Sequence, residues 1–297
     1  MGLLAIALMC AAMVCFTGVD TSSKWLGARV PTLEIVWGRY VAAAAISLLV
    51  ARPWARPAVL RSRRPGLQSL RSLLLLGSTI TVVVALHWLQ LAESATIGFL
   101  NPIFVALLAA PLLGERVGRA QVAAIAVSFV GVLIATRPGT NAFQPIVLVA
   151  IGGVVLNSGY VIATRKLAGI DSAKTTLIWT QAASVVLLTP LLPWIWRWPD
   201  SGQVWLVMAG LGAFATAGHG LLIVAHKYAP APFLAPFYYT QLVWMIVSGA
   251  LVFGDWPPAA TVAGAALVAA AGGYLALRER PARSAAASRK EAVGVRP

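Results

Sequence analysis

Long apolar runs alternate with short polar breaks along the whole chain. The breaks carry Gly, Pro, Ser and Asp, which are typical of turns. Because a bilayer core needs about 20 predominantly apolar residues per helix, each run is long enough to cross a membrane. The pattern predicts ten membrane-spanning helices, over residues 2–23, 32–51, 70–92, 95–113, 118–136, 145–164, 173–193, 203–226, 232–253 and 258–277.

The third and fourth runs have the weakest boundary, because only Glu93 and Ser94 divide them. One unbroken helix over 70–113 would far exceed the thickness of a bilayer. A tight turn is therefore required at this point. Ser94 is the predicted N-cap of the helix that follows.

The composition supports a membrane protein. Hydrophobic residues make up 59% of the 297-residue chain and charged residues only 11%, less than half of what a globular domain carries. The formal charge of +14 does not indicate a nucleic-acid partner, because the basic residues lie in loops between apolar runs and form no stripe on a polar domain.

Lysine and arginine predict the orientation, since they accumulate in cytoplasmic loops. If the N-terminus is inside, 18 of the 23 basic residues fall in inside loops or in the C-terminal tail. The sequence therefore predicts a multi-pass protein of the cytoplasmic membrane with both termini in the cytoplasm. Residues 278–297, rich in Ala, Ser and Arg, are predicted to be a disordered basic tail.

Two segments of the chain resemble each other: residues 85–136 align without gaps onto 225–276. The alignment predicts two five-helix repeats, over 1–139 and 140–277. Five is an odd number, so the second repeat enters the membrane inverted relative to the first. Inverted repeats are typical of secondary transporters, whose substrate site lies near the midplane between the halves. Duplication in a membrane protein of another function is the alternative.

Paired motifs in the two repeats carry a family resemblance. Asn101-Pro102 and Gly114-Glu115 in the first repeat correspond in position to Tyr239-Thr240-Gln241 and Gly254-Asp255 in the second. With these motifs the chain resembles the EamA family of the drug/metabolite transporter superfamily over nearly its whole length. It departs from the common pattern at Asp255, where Glu is usual, and at Asn101.

The resemblance implies an all-α integral membrane fold of ten helices in two inverted five-helix repeats, around a central cavity. It also implies secondary active transport of a small organic metabolite by alternating access. Relatives carry amino acids, cofactor-like molecules such as S-adenosylmethionine or riboflavin, and nucleotide sugars. It indicates neither the substrate nor the direction of transport.

Charges inside a bilayer are costly, so each is a candidate for function. Asp20 and Arg39 are the candidates for coupling or charge recognition, with Glu34 beside them. For Asp20, an ion pair with Lys24 four residues later is an equally good interpretation. Arg39 is predicted to bind a carboxylate, pair with Asp20, or extend to the interface.

Histidines are candidate proton carriers, because their side chains titrate near neutral pH. His87 is predicted deep in the third helix, beside Trp88, and His219 lies in the middle of the eighth. A neutral, hydrogen-bonded core histidine is the alternative for each. If transport is linked to protons, Asp20, His87, His219 and Glu34 are the candidate carriers. His87 is favoured among them, because its predicted depth is greatest and Trp88 would lower the local polarity.

Polar and aromatic side chains from both repeats are predicted to line the central cavity. A single one of them is better explained by hydrogen bonding between helices, but the whole set indicates a lined cavity. The predicted substrate-binding residues are His87, Trp88, Asn101, Asn157, Tyr160, Trp179, Gln181, His219, Tyr238, Tyr239 and Gln241. Such a lining suits an amino-acid-like or heteroaromatic metabolite better than a multiply charged phosphate ester.

Other function classes lack their motifs. The sequence has no GxxxxGK[ST] loop, HExxH or GxSxG, so neither ATP hydrolysis nor a catalytic or metal site is predicted. No cofactor is expected. The expected partners are the bilayer, a small-molecule substrate and, as candidate coupling ions, protons. An intramembrane enzyme and a structural subunit without transport activity are the alternatives.

Overall fold

The computed structural model describes residues 2–114, 118–137, 144–167, 169–229, 234 and 237–274. The predicted tail, Glu115 and Pro236 lie outside these residues. The main helices are α1 (Gly2–Gly27), α2 (Thr32–Ala51), α3 (Pro65–Leu86), α4 (Leu91–Gly98), α5 (Asn101–Leu113), α6 (Arg119–Thr136), α7 (Ile146–Leu167), α8 (Ala173–Leu188), α9 (Leu192–Ile195), α10 (Gly202–Tyr228), α11 (Thr240–Ser248) and α12 (Ala259–Tyr274).

These helices match the ten predicted spans and confirm the all-helical membrane fold. Within the described part of the chain, seven segments are long and apolar enough to cross a membrane, and three shorter apolar helices, Val122–Thr136, Thr240–Phe253 and Ala259–Tyr274, account for the other predicted spans. The fourth span consists of α4 and α5, separated by a turn at Phe99 and Leu100 just before Pro102. The ninth continues from α11 into the π-helix Gly249–Phe253.

The turn between the third and fourth spans lies earlier than predicted. α3 ends at Leu86, and α4 begins at Leu91. The Glu93 carboxylate accepts a hydrogen bond from the Gln90 backbone N–H at 3.1 Å, which satisfies one donor ahead of α4. Ser94 is therefore not the N-cap, and the turn comprises His87 to Gln90.

Side-chain contacts show which loops share an end of the bundle. The Asp171 carboxylate, between α7 and α8, accepts hydrogen bonds from the Ser62 hydroxyl, the Arg63 backbone N–H and the Gln68 amide. These bonds hold the pKa of Asp171 below its usual range. We call this end, which carries the 52–64 loop, the basic face. At the other end, the opposite face, Lys24 contacts Leu89 and Asp255.

Helix packing follows a pattern of two related halves. The most extensive interfaces are α1 with α10, the first and eighth spans, and α3 with α7, the third and sixth. Shifting each span number by five converts one pair into the other. The α2–α10 and α3–α8 interfaces are related in the same way, and α2 packs on α8. These pairings are those expected of two five-helix halves related by a two-fold axis in the membrane plane.

Candidate functional site

Charged side chains from several helices lie within electrostatic range of one another. Asp20 on α1 and Arg39 on α2 interact electrostatically, but among the described residues no ion pair within 4.0 Å joins them. Arg39 lies seven residues into α2, about 10 Å from the opposite face at 1.5 Å per residue. The two charges are thus held apart at membrane depth, where an uncompensated charge is costly.

His219 on α10 lies on the basic-face side of this pair. Its charge environment includes both Arg39 and Arg71, and its ring stands edge-on to Phe16 of α1, with centroids 5.0 Å apart. Asp20, Arg39, His219 and Arg71 therefore form a group running across the central part of the membrane. We call these four residues the charged column.

Arg71 is a site residue that the sequence did not indicate. α3 begins at Pro65 and buries Arg71 to 5% exposure. Its guanidinium donates to the Thr164 hydroxyl at 2.7 Å, to the Tyr160 hydroxyl at 2.9 Å, and to Thr180. These oxygens are neutral, so the column holds two guanidinium groups and one carboxylate.

Tyrosines border the column. The Arg71 guanidinium lies 4.5 Å from the centre of the Tyr160 ring, a distance at which a cation attracts the ring face. Tyr40 neighbours Arg39, and its hydroxyl is 3.0 Å from that of Thr79 on α3. Tyr238 lies within electrostatic range of Asp20, which connects the column to the ninth span.

An aromatic wall continues from Tyr238. The Phe99 ring stands edge-on to Tyr239 at 5.0 Å and to Tyr238 at 6.4 Å. Gly272 on α12 makes room for Tyr239, because a methyl group there would overlap the Tyr239 hydroxyl. Phe99 sits in the turn between α4 and α5, so the broken fourth span presents an aromatic ring to the ninth.

The structure therefore brings six of the predicted residues together: Asp20, Arg39, Tyr160, His219, Tyr238 and Tyr239. They come from α1, α2, α7, α10 and the segment before α11, and each is partly exposed. Polar side chains that converge from five elements of both halves are the arrangement expected of a substrate site between two repeats. The group joins residues from both sequence halves.

His87 and Trp88 do not belong to this group, and the prediction that His87 is deep in the membrane is wrong. Both follow the last residue of α3 and are exposed, Trp88 to 69%. The His87 ring packs against Gly27 at the end of α1, and its Nδ1 is 2.7 Å from the Val83 carbonyl oxygen. A side chain at the opposite face cannot carry protons through the midplane.

Trp179 and Asn101 also lie elsewhere. The Trp179 indole N–H donates to the Leu60 carbonyl at 3.0 Å, which fixes the ring at the basic face rather than in a central cavity. The Asn101 side-chain oxygen accepts from the Ser158 hydroxyl at 2.8 Å, so this residue joins α5 to α7. In both cases hydrogen bonding between elements explains the polar side chain.

Three predicted residues have no direct polar contact with the column in the described part of the chain. Asn157 and Gln241 are half-buried, and the buried Gln181 side-chain oxygen has no hydrogen-bond partner among the described residues. Their role in binding remains a prediction. The described residues also contain no group of three or more His, Cys, Asp or Glu side chains that could hold a metal ion.

Two further acidic residues lie at the opposite face. Lys24 pairs with Asp255, at 2.6 Å between Nζ and Oδ2, rather than with Asp20, so the predicted ion pair within α1 is wrong. The same ammonium group donates to the Leu89 carbonyl at 3.2 Å. Glu34 is fully buried and accepts from the Arg197 backbone N–H at 3.0 Å, which ties α2 to the segment after α9.

Known proteins resemble this chain along nearly its whole length. The EamA-like transporter family model matches it twice, at residues 3–137 and 144–276. The riboflavin transporter of Brucella anthropi is 27% identical over 87% of this chain and 95% of its own length. The S-adenosylmethionine uptake transporter of Rickettsia prowazekii is 24% identical over 89% and 90%.

An exporter is among the similar proteins too. The pseudopaline exporter CntI of Pseudomonas aeruginosa is 25% identical over 86% of this chain and 90% of its own. A solved crystal structure with 23% identity, covering 90% of this chain and 98% of the other, superposes with a TM-score of 0.60, which supports the fold.

Proposed function

The chain belongs to the EamA-like transporter family of the drug/metabolite transporter superfamily, and we propose that the charged column is its substrate site. The protein is a multi-pass membrane transporter of a small molecule, not an enzyme. One observation carries this proposal. Asp20 and Arg39 lie within electrostatic range of each other without a direct ion pair among the described residues, so a substrate with complementary groups would stabilise both.

The substrate proposed is an amino-acid-like or heteroaromatic metabolite that carries a carboxylate. Tyr160 and Tyr238, which are partly exposed, offer aromatic rings for its apolar part, while Arg39 offers a cation to its acidic group and the buried Arg71 adds positive charge beside Tyr160. Arginine binds carboxylates in a bidentate manner. The column has one cation more than it has carboxylates, which favours a single negative group over a neutral substrate.

Transport would proceed by alternating access between the two five-helix repeats, 1–139 and 140–277. The column draws residues from both, so a movement of one half against the other changes access to it from each side. If transport is coupled to protons, Asp20 is the candidate carrier, because it is the one carboxylate in the described column.

The charge distribution supports an orientation in the cytoplasmic membrane with the basic face and both termini inside. Cysteine labelling in intact cells tests this. An impermeant maleimide should reach a cysteine at Ser201, which lies at the opposite face, and should not reach one at Arg61. Labelling at Arg61 and not at Ser201 would reverse the orientation.

Metabolite profiling with a matched inactive variant tests the function. Cells overexpressing the parent protein should differ from cells expressing Arg39→Gln in the medium or cytoplasmic level of a few carboxylate-bearing metabolites. Arg64→Gln, which removes an exposed charge outside the column, should behave like the parent. Equal profiles for the parent and Arg39→Gln would count against the column as the substrate site.

A further inference from the structure

A basic groove lies at the basic face, away from the charged column. Two adjoining cavities of about 620 and 800 Å³ share Ala51, Arg56 and Lys174. The first cavity lies along the end of α2 and is lined by Arg52. The second cavity lies beside the 3-10 turn Pro57–Leu60 and reaches the start of α8. Together they form one groove between the second and seventh spans.

Cations dominate the wall of this groove. Arg52, Arg56 and Lys174 line the first cavity, and Arg61 and Arg63 join them in the second. Among the described residues of the lining, Asp171 is the one acidic residue, and it is already held by Ser62, Gln68 and the Arg63 backbone. Among the described residues, no carboxylate lies within 4.0 Å of a basic side chain of the groove. An anion between these cations would relieve their mutual repulsion.

Apolar side chains adjoin the groove on its outer side. Leu49 and Val50, on the last turn of α2, are 65% and 59% exposed, and Trp54 beyond it is 67% exposed. Exposed aliphatic residues on a membrane helix face hydrocarbon, and tryptophan prefers the headgroup level. The cations therefore lie at the height where phospholipid phosphates are found, next to a surface suited to an acyl chain.

The conformation of Arg52 adds to this picture. Arg52 ends α2 in the left-handed region, with φ 50° and ψ 61°, where glycine or asparagine is the usual residue. An arginine there strains the backbone. An arginine at a helix end that glycine would form more readily is explained if the guanidinium binds a ligand.

We propose that this groove binds the phosphate of an anionic phospholipid, with the headgroup on Arg52, Arg56 and Lys174 and an acyl chain along Leu49 and Val50. The lipid belongs to the leaflet at the basic face. A basic pocket between membrane helices on that side is a known form of lipid recognition. A soluble phosphate compound would satisfy the same cations but would leave the adjoining apolar surface unused.

Native mass spectrometry of the delipidated full-length protein in detergent tests the proposal. Phosphatidylglycerol should bind at least tenfold more tightly than phosphatidylcholine with the same acyl chains. Replacing Arg56 or Lys174 by Gln should weaken phosphatidylglycerol binding about fivefold each, since one cation near a headgroup contributes about that factor. Arg64→Gln, which removes an exposed cation outside the groove lining, should leave the affinity unchanged.

Arg52→Gly separates ligand binding from folding. Glycine relieves the left-handed strain, so the melting temperature should not fall, while phosphatidylglycerol affinity should drop about fivefold. Unchanged affinity in this variant would contradict the proposal, and so would an equal loss in Arg64→Gln, which would indicate diffuse charge. Displacement of the lipid by glycerol 3-phosphate at a similar concentration would identify a soluble-anion site instead. None of these measurements depends on transport.

Discussion

The Lys24–Asp255 ion pair should hold the opposite face closed, and Asp255→Asn should open it. Lys24 lies at the end of α1 in the first half of the chain, and Asp255 follows the ninth span in the second half. The Lys24 ammonium also donates to Leu89, so three segments meet at one cation. If the halves separate at this face during transport, the pair must break.

The size of the effect follows from the geometry. The Nζ–Oδ2 distance is 2.6 Å, and the two side chains are 16% and 30% exposed. A hydrogen bond to a charged group contributes about 1.5–3 kcal/mol. The asparagine oxygen can still accept a hydrogen bond, so Asp255→Asn should lose an amount near the lower limit. Since about 1.4 kcal/mol changes an equilibrium tenfold, the open population should rise about tenfold.

Thiol labelling measures this opening. Ser23 is 1% exposed and lies next to Lys24, so a cysteine there, with Cys10 and Cys15 replaced by alanine, reports on access from the opposite face. Asp255→Asn should raise its labelling rate by an impermeant maleimide about tenfold. A cysteine at the exposed Ser201 should label at the same rate in both backgrounds.

A charge exchange completes the test. The Lys24→Asp/Asp255→Lys double variant should restore most of the slow labelling, because the opposite charges face each other again. Full recovery is not expected, since aspartate cannot donate to the Leu89 carbonyl. The labelling rate of Ser23→Cys is compared in the parent and in Asp255→Asn. A difference of less than twofold would refute the idea that this pair keeps the face closed.

Three further substitutions, one of them combined with a compensating change, test other parts of the structure. Arg71→Met should lower transport at least tenfold while leaving the melting temperature unchanged or higher, because it removes a buried cation whose threonine partners keep their own backbone hydrogen bonds. Gly272→Ala should cost about 1–3 kcal/mol in a denaturation assay by displacing Tyr239, and Tyr239→Phe should recover part of that loss. Asp171→Asn should reduce the free energy of unfolding at pH 7 by about 1 kcal/mol or less, which lowers the melting temperature slightly. The folded pKa of Asp171 lies below the unfolded value of about 3.9, so this difference should shrink as the pH falls below about 4 and then vanish.

Hydropathy predicted the spans well because each helix must present an apolar surface of membrane length. It failed at residues 87–90, where Trp88, Leu89 and Leu91 continue the apolar run through a turn. The informative signal there is Glu93, which accepts from the Gln90 backbone. Placing the turn correctly moves His87 from the membrane interior to its surface.

The charged column was only partly predictable. Asp20, Arg39 and His219 are polar residues inside apolar runs, so the cost of burial identifies them. Arg71 lies close to the cluster of loop arginines, and only the true start of α3 at Pro65, with partners on α7 and α8, shows that it is buried. The opposite error was made for Trp179. It was predicted to line the central cavity, but its indole N–H donates to the Leu60 carbonyl in a loop.

Contacts between residues that are far apart in the chain produce no local sequence pattern from which they could be predicted. Lys24 and Asp255 are 231 residues apart, and the i,i+4 spacing of Asp20 and Lys24 favoured the wrong partner. The alignment of the two repeats does not help, because it relates Asp255 to Glu115 rather than to Lys24. Long-range electrostatic pairs of this kind require the packed structure.

Counterflow in proteoliposomes tests the central claim, that the charged column carries the transported substrate, most directly. Vesicles loaded with an unlabelled metabolite from the profiling experiment should accumulate the labelled compound when they contain the parent protein or Arg64→Gln. Arg39→Gln and Asp20→Asn, reconstituted to the same density, should reduce that accumulation at least tenfold. Accumulation by both variants at the parent rate would contradict the claim.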